Sequence, residues 1–423
     1  MLHELEPVIC DICNADTLVE AAGIFSLYRE ELSTYRFIIA TSTGINKDLA
    51  QNRNFSGTGA VIGLFGSDSL AFLDKRTLFE MEFCGKAQIP IDYSIGLDSN
   101  AMSYLWPYLE KGQARVKDFK EVFRFIARDE VNIDPMPYIY ENLPNFVRPD
   151  SARNIFNTLK AYEILRTLDP AALENNDLVL SKLSSEEIEK RAQQLMSKLY
   201  YEKPVEMAGE LLLTHQFVLA QLLQMTVIQL NKPSKSLADN KVKQFVDFCD
   251  RDLSSIDIRC VAIARRYFEQ GQNFAFFNKI QKNREDIFDS LYGMAWDITH
   301  FRHLEKRATL RLNEESDYLL PAILTFDKGF VEMASTCSLK GLAFSTAGNE
   351  IFPLFKGDQL AIFSDNQKTR QYIFSRFYSP PARYDRLNRS KEAVKAIKET
   401  IAKLFSELSE AAGVPCRFNR QLF

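Results

Sequence analysis

Two apolar runs in this chain close on an aspartate. "IDYSIGL" runs into Asp98, Ser99 and Asn100, and "PAILTF" runs into Asp327, followed by a lysine and a glycine. The apolar runs are short and bounded by Pro90 or by polar residues, as buried strands are, and the text after each aspartate has helical spacing. An aspartate in that position can cap the next helix by accepting from its free N–H groups. If the two strands are parallel neighbours, however, both carboxylates stand on one rim, where open α/β sheets gather ligands. Two further acids sit in apolar helical text: Glu141 among Tyr138, Ile139, Tyr140 and Leu143, and Asp297 beside Met294, Ala295, Trp296 and Ile298. Each taken alone also suits a cap or a helix surface. Carboxylates crowded together with apolar backing repel one another, and a hard divalent cation relieves that repulsion.

The elements that must position these acids fall into regions of different texture. Residues 1–89 read as a mixed α/β region, with a helix near "LVEAAGIFSLYREEL" and strand-and-turn text in "YRFIIATST" and "GAVIGLFGS". Residues 90–150 hold the first strand–acid–helix unit, with Pro107 predicting a break or kink in its helix. Residues 151–284 have apolar positions at three- and four-residue spacing and read as a helical insertion. Its long apolar faces, for example Leu211, Leu212, Phe217, Leu219, Leu222 and Leu223, are most simply a core, and they leave open a homo-oligomer or a protein partner. Residues 285–345 return to the strand–acid pattern. Residues 346–423 carry hairpin-like text around "NEIFPLFKGDQLAIFSDN" and a closing helix predicted from Ser390 to Ala412.

In their order, "LDSN", "YIYENL", "AWDITHFRHLE" and "ILTFD" resemble the four acidic motifs of PIN-domain nucleases. The resemblance covers 90–150 and 285–345 and implies an α/β, PIN-like (Rossmannoid) parallel sheet, with a large all-helical insertion and additional α+β terminal segments. It also implies catalytic roles for Asp98, Glu141, Asp297 and Asp327. Asp98, Asp297 and Asp327 would be ligands to Mg²⁺ or Mn²⁺, with Glu141 acting through water or as a proton acceptor. Asn100 and Thr325 would orient those carboxylates or meet a substrate phosphate. The implied reaction is hydrolysis of phosphodiester bonds in nucleic acid, RNA first. Two departures weigh against it: the long interval from Glu141 to Asp297, and "RLNEESDYLL", where Glu314 or Asp317 could be mistaken for a motif acid. The alternatives are a scaffold that keeps the fold without catalysis and a helical protein-interaction module.

Other features narrow the classes. A formal charge of -4 argues against a protein that coats nucleic acid over its whole surface, yet residues 365–398 hold nine Lys or Arg against three Asp or Glu, with aromatics interleaved. Those side chains suit phosphates and unpaired bases, or equally a solvated helix face. Seven scattered cysteines and an acidic start lead to the expectation of a reducing cytoplasm with no secretory signal. Cys10 and Cys13 form a lone C-x-x-C without the further ligands a zinc site needs. The apolar stretch Met207 to Leu230 is interrupted by Glu210, His215 and several glutamines, which suits a core helix better than a membrane span. Gly57, Gly59 and Gly63 suggest a phosphate turn, but their apolar strand text follows the first glycine instead of preceding it. His300 and His303 share a helical face without the glutamate of a zinc hydrolase and are expected to pack.

Overall fold

The computed structural model describes residues 2–45, 51–67, 69–146, 148–169, 171–173, 179–201, 204–234, 238–312, 314–358 and 360–416. The fold is mixed α/β and divides into two compact units. The first comprises Met1–Pro204, Phe301–Asp327 and Ser338–Lys356; the second comprises Val205–His300, Lys328–Cys337 and Gly357–Phe423. Every strand among the described residues belongs to the first unit.

The centre of that unit is β7 (Tyr318–Thr325), buried at every position, beside β5 (Ile91–Leu97), buried from Tyr93 onward. Continuous burial is the mark of strands covered on both faces. The two pair in parallel from Ile91↔Tyr318 to Leu97↔Leu324, and β6 (Asn132–Asp134) pairs in parallel on the far side of β5. β3 (Ala60–Gly63) lies antiparallel along the other side of β7, with β2 (Arg53–Asn54) outside it, giving the order β2-β3-β7-β5-β6. The parallel sheet expected from sequence is therefore a mixed sheet, three parallel strands with an antiparallel margin. From β5 the chain crosses to β6 on one side and then returns past β5 to β7. That reversal puts a topological switch point between β5 and β7.

A second sheet, β4 (Leu70–Leu73), β1 (Tyr35–Ile45), β8 (Leu339–Ser345) and β9 (Ile351–Phe355), is antiparallel throughout. Helices α1 (Leu2–Asn14) and α2 (Leu18–Leu27) cover it through a core that includes Ile9, Ile12, Cys13, Phe25, Phe37 and Ile39. Gly341 permits this packing, because a Cβ there would stand 2.5 Å from the Cβ of Cys13. Buried side chains of this size contribute about 1.5–3 kcal/mol each. Cys10 and Cys13 are both free thiols on α1, and burial pushes the pKa of each up. Neither has the lowered pKa of a reactive or ligating thiol.

The remaining helices of the first unit are α3 (Lys75–Cys84), α4 (Ser99–Lys111), α5 (Phe119–Ile126), α6 (Met136–Asn142), α7 (Pro149–Arg166) and α8 (Ser185–Tyr201). α4 continues through Pro107, where a break was expected, and closes five residues later at Gly112, whose φ of 65° is the left-handed conformation that favours glycine.

The second unit is helical in all its described elements: α9 (Pro204–Asn231), α10 (Ala238–Arg251), α11 (Ile258–Gln270), the first part of α12 (Ile287–Arg307), α13 (Lys328–Ser335), α14 (Gln367–Phe377) and α15 (Pro380–Ala412). Within α9, Ala208–Asn231 is long and apolar enough to cross a membrane, yet 83% of its most apolar stretch is buried inside the protein. Leu219, Leu222 and Leu223 are fully buried, as a core helix requires, while Phe217 is half-buried. α15 starts ten residues before the predicted Ser390. The run Ser379-Pro380-Pro381, with proline at the first helical positions, is the start signal that helical periodicity alone does not reveal.

Candidate functional site at the carboxyl ends of β5 and β7

Asp98 is the first residue after β5, and its Oδ1 accepts the Ala101 N–H at 2.7 Å as the N-cap of α4. Capping accounts for one oxygen. The Thr325 hydroxyl donates to the same carboxyl group and accepts the backbone N–H of Asp327 at 3.1 Å. Thr325 has no exposed surface, so its hydroxyl serves as a fixed bridge between the two aspartates instead of meeting substrate. Phe326, between Thr325 and Asp327, packs against Tyr104 of α4 at 5.1 Å between ring centroids and against Phe119 of α5 at 6.0 Å, which fixes the turn that presents Asp327.

Glu141 comes from α6, the helix after β6. Its Oε2 accepts the Ser99 hydroxyl at 2.5 Å, which ties it to the first residue of α4. Burial pushes the Asp98 pKa up to about 7; the hydrogen bonds from Ala101 and Thr325 pull it down, and the charges of Glu141 and Asp327 push it further up. None of these groups is a cation. Three of the four acids singled out in the sequence, Asp98, Glu141 and Asp327, are thus brought together in the first unit by the ends of adjacent strands, the start of α4 and the last turn of α6. Asn100 is exposed on the first turn of α4. Asp297, half-buried between Trp296 and Ile298 on α12, is held by the second unit.

Among the described residues, no three His, Cys, Asp or Glu side chains are arranged to hold a metal ion by themselves. A closed all-protein cage is therefore not what this rim offers. A divalent cation here would have to be held by one or two carboxylates with water and ligand oxygens completing its shell, as Mg²⁺ commonly is. The donor set suits that mode, with hard oxygens and an acid whose charge is destabilised by burial and by its own neighbours.

The remaining motifs have structural explanations. The Gly57 and Gly59 amides donate to Asp118 Oδ2 at 3.1 and 2.7 Å, and the Ser56 amide donates to Glu121 Oε2 at 3.1 Å. This glycine turn does cradle an anion, but the anion is the chain's own carboxylate. His300 stacks on Trp296 at 5.1 Å, and His303 meets the Tyr140 ring edge-on at 6.4 Å, so both pack. Within the second unit, Arg376 pairs with Asp247, Arg386 and Arg389 pair with Asp250, and Arg370 pairs with Asp358. Those pairs absorb much of the positive charge noted at 365–398, although Tyr372, Phe374 and Tyr384 remain exposed.

Sequence reasoning missed a cluster at the other end of β7. Arg36, Arg76 and Arg311 all approach Asp317, which had stood out only as an acid that might imitate a motif. Arginines at 36, 76 and 311 have no shared sequence signal; pairing between β1 and β4 through Phe37↔Leu73 sets Arg36 near Arg76, and Arg311 lies six residues before Asp317. No family model, no curated protein and no solved structure matches this chain.

Proposed function

We propose that the carboxyl rim of β5 and β7 is the centre of a divalent-cation-dependent phosphodiesterase acting on nucleic acid, RNA first, in an enlarged and divergent PIN-like fold. The observation that carries this reading is the Thr325 bridge between Asp98 and Asp327 on adjacent parallel strands, with Glu141 adding charge to the same rim. Its position at the switch point of the sheet is the place where α/β folds bind ligands.

Asp98 and Asp327 would hold Mg²⁺ or Mn²⁺ directly and Glu141 would do so through water; Asp297 is included as a fourth acid on the resemblance alone. Bound, the cation would neutralise phosphate charge and lower the pKa of an attacking water. The chain's own groups do the rest. With a pKa of about 7, Asp98 must give up its proton to become a ligand, so cation binding near neutral pH releases protons. Ser99 holds Glu141 in one orientation as proton acceptor, and Thr325 fixes the two aspartates. Asn100, exposed beside them, is available to a phosphate oxygen. The seven free cysteines fit a reducing cytoplasm.

The test is cleavage of a single-stranded RNA by purified protein in Mn²⁺ or Mg²⁺. Wild-type protein should cleave and lose activity in chelator, and Asp98→Asn or Asp327→Asn should lose about a hundredfold or more. A second reading, a scaffold that has kept the fold without catalysis, is favoured by the lack of a ready three-ligand group among the described residues. It requires that wild-type protein cleave nothing with any divalent cation.

A further inference from the structure

A cleft of about 600 Å³ opens in the first unit at the amino-terminal end of β7, away from the acidic rim. Its floor is Asp317, the residue before β7. Both carboxylate oxygens are already engaged, Oδ1 by Arg36 at 3.0 Å and Oδ2 by Arg76 at 2.5 Å. Arg311 stands 3.8 Å from Oδ1, too far for a hydrogen bond, and forms none among the described residues. Among the described residues Lys75 pairs with Glu30 alone, whose side chain is 78% exposed, an arrangement worth little and easily exchanged.

The lining itself contains Arg36, Lys75, Arg76 and Arg311 against Asp74 and Asp317, and Glu30 and Glu80 pair with Lys75 and Arg76 from outside it, which leaves Arg311 as the lining cation with no close ion pair of its own among the described residues. Arg36 is held in the interior between Asp74 and Asp317, so it is fixed in place. Arg311 and Lys75 are about half exposed, Lys75 with its ammonium on Glu30 and Arg311 with its guanidinium facing Asp317 at 3.8 Å. Also lining the cleft is Phe79, 54% exposed, one turn beyond Arg76 on α3 and packed at 4.4 Å, with the rings tilted by 34°, against Phe83, itself 71% exposed. An exposed aromatic ring beside a guanidinium that makes no hydrogen bond among the described residues offers a stacking face and free donors to a ligand.

We propose that this cleft binds a nucleotide, with its phosphates on Arg311 and Lys75 and its base against Phe79. Guanidinium matches phosphate through paired N–H donors, and an aromatic face takes any base. The space is in the range of small-molecule sites and far exceeds what a lone phosphate fills. Arg36 and Arg76 neutralise Asp317 and so remove the carboxylate that would otherwise repel the ligand. The site stands apart from the acidic rim, so it holds or fails independently of the phosphodiesterase reading.

Titration calorimetry at low salt, with ADP, pyrophosphate and adenosine as separate probes, tests it on the full chain. ADP should bind, more weakly as salt rises. Arg311→Gln should weaken ADP by about tenfold or more without changing the melting temperature of the free protein, because its side chain is half exposed. Phe79→Ala should weaken ADP and leave pyrophosphate unchanged, and Asp98→Asn should bind ADP as wild type does. Failure of ADP to bind, or equal affinity in wild type and Arg311→Gln, overturns the site. Pyrophosphate binding as tightly as ADP with no effect of Phe79→Ala overturns the nucleotide assignment and leaves an adventitious anion only.

Discussion

The two ends of β7 carry the same residue type in opposite electrostatic company. Asp317, immediately before the strand, is approached by three guanidinium groups, whereas Asp327, two residues after it, shares a rim with Asp98 and Glu141. The first arrangement is settled: the negative charge has its counter-charge within the fold, and nothing further is needed to hold it. The second is unsettled, because burial and two neighbouring carboxylates leave Asp98 poised between its protonated and charged forms at neutral pH. An acid neutralised by arginine contributes to the fold, and an acid left against other acids is where a cation or a proton has work to do.

The comparison can be broken most severely at the carboxyl end. Asp98→Asn and Asp327→Asn should remove cation-dependent RNA cleavage by about a hundredfold or more, while Asp317→Asn should leave the cleavage rate within about threefold. Loss of activity of the same size in Asp317→Asn would erase the distinction between the two ends.

A stability measurement sharpens it next. Because the folded pKa of Asp98 is about 7 against an ordinary 3.8, the folded protein keeps a proton that the unfolded chain has already lost between those values. Stability must then fall as pH rises through that window and level off above about 7. In chelator, Asp98→Asn should match wild type near pH 4 and exceed it near pH 8 by on the order of 4 kcal/mol, as read by denaturant titration. Parallel curves at both pH values would show that this carboxyl is not strained. At the other end the sign reverses: Asp317→Asn should cost about 2 kcal/mol at pH 7, since the interior Arg36 loses the closer of its two carboxylate partners among the described residues and keeps only Asp74. The smallest effect belongs to the bridge. Thr325→Val keeps shape but removes a hydroxyl that pulls the Asp98 pKa down, so activity should fall roughly fivefold and its acid limb should move to higher pH. An unmoved pH profile would make Thr325 a packing residue.

What could be read in advance follows from the range of the interactions involved. "IDYSIGL" and "PAILTF" announced β5 and β7 because burial on both faces leaves a continuous apolar run, and Asp98 and Asp327 announced themselves as the polar stops. That the two strands pair in parallel depends on residues more than two hundred positions apart, and nothing local encodes it. The second sheet was hidden for the same reason, since β1 pairs with β8 through Tyr35↔Ser345. The glycine turn at 57–59 was legible as an anion cradle, yet the anion, Asp118, is far along the chain. The three arginines around Asp317 were likewise invisible. Charged residues follow no periodicity, so their partners are settled by tertiary packing alone.

The measurement closest to the central claim is a calorimetric titration of Mn²⁺ into the full chain near pH 7.5. The account requires a saturable site in wild-type protein and in Asp317→Asn, released protons on binding, and loss of the site in both Asp98→Asn and Asp327→Asn. Wild-type protein that takes up no Mn²⁺, or equal uptake by all four proteins, would contradict it.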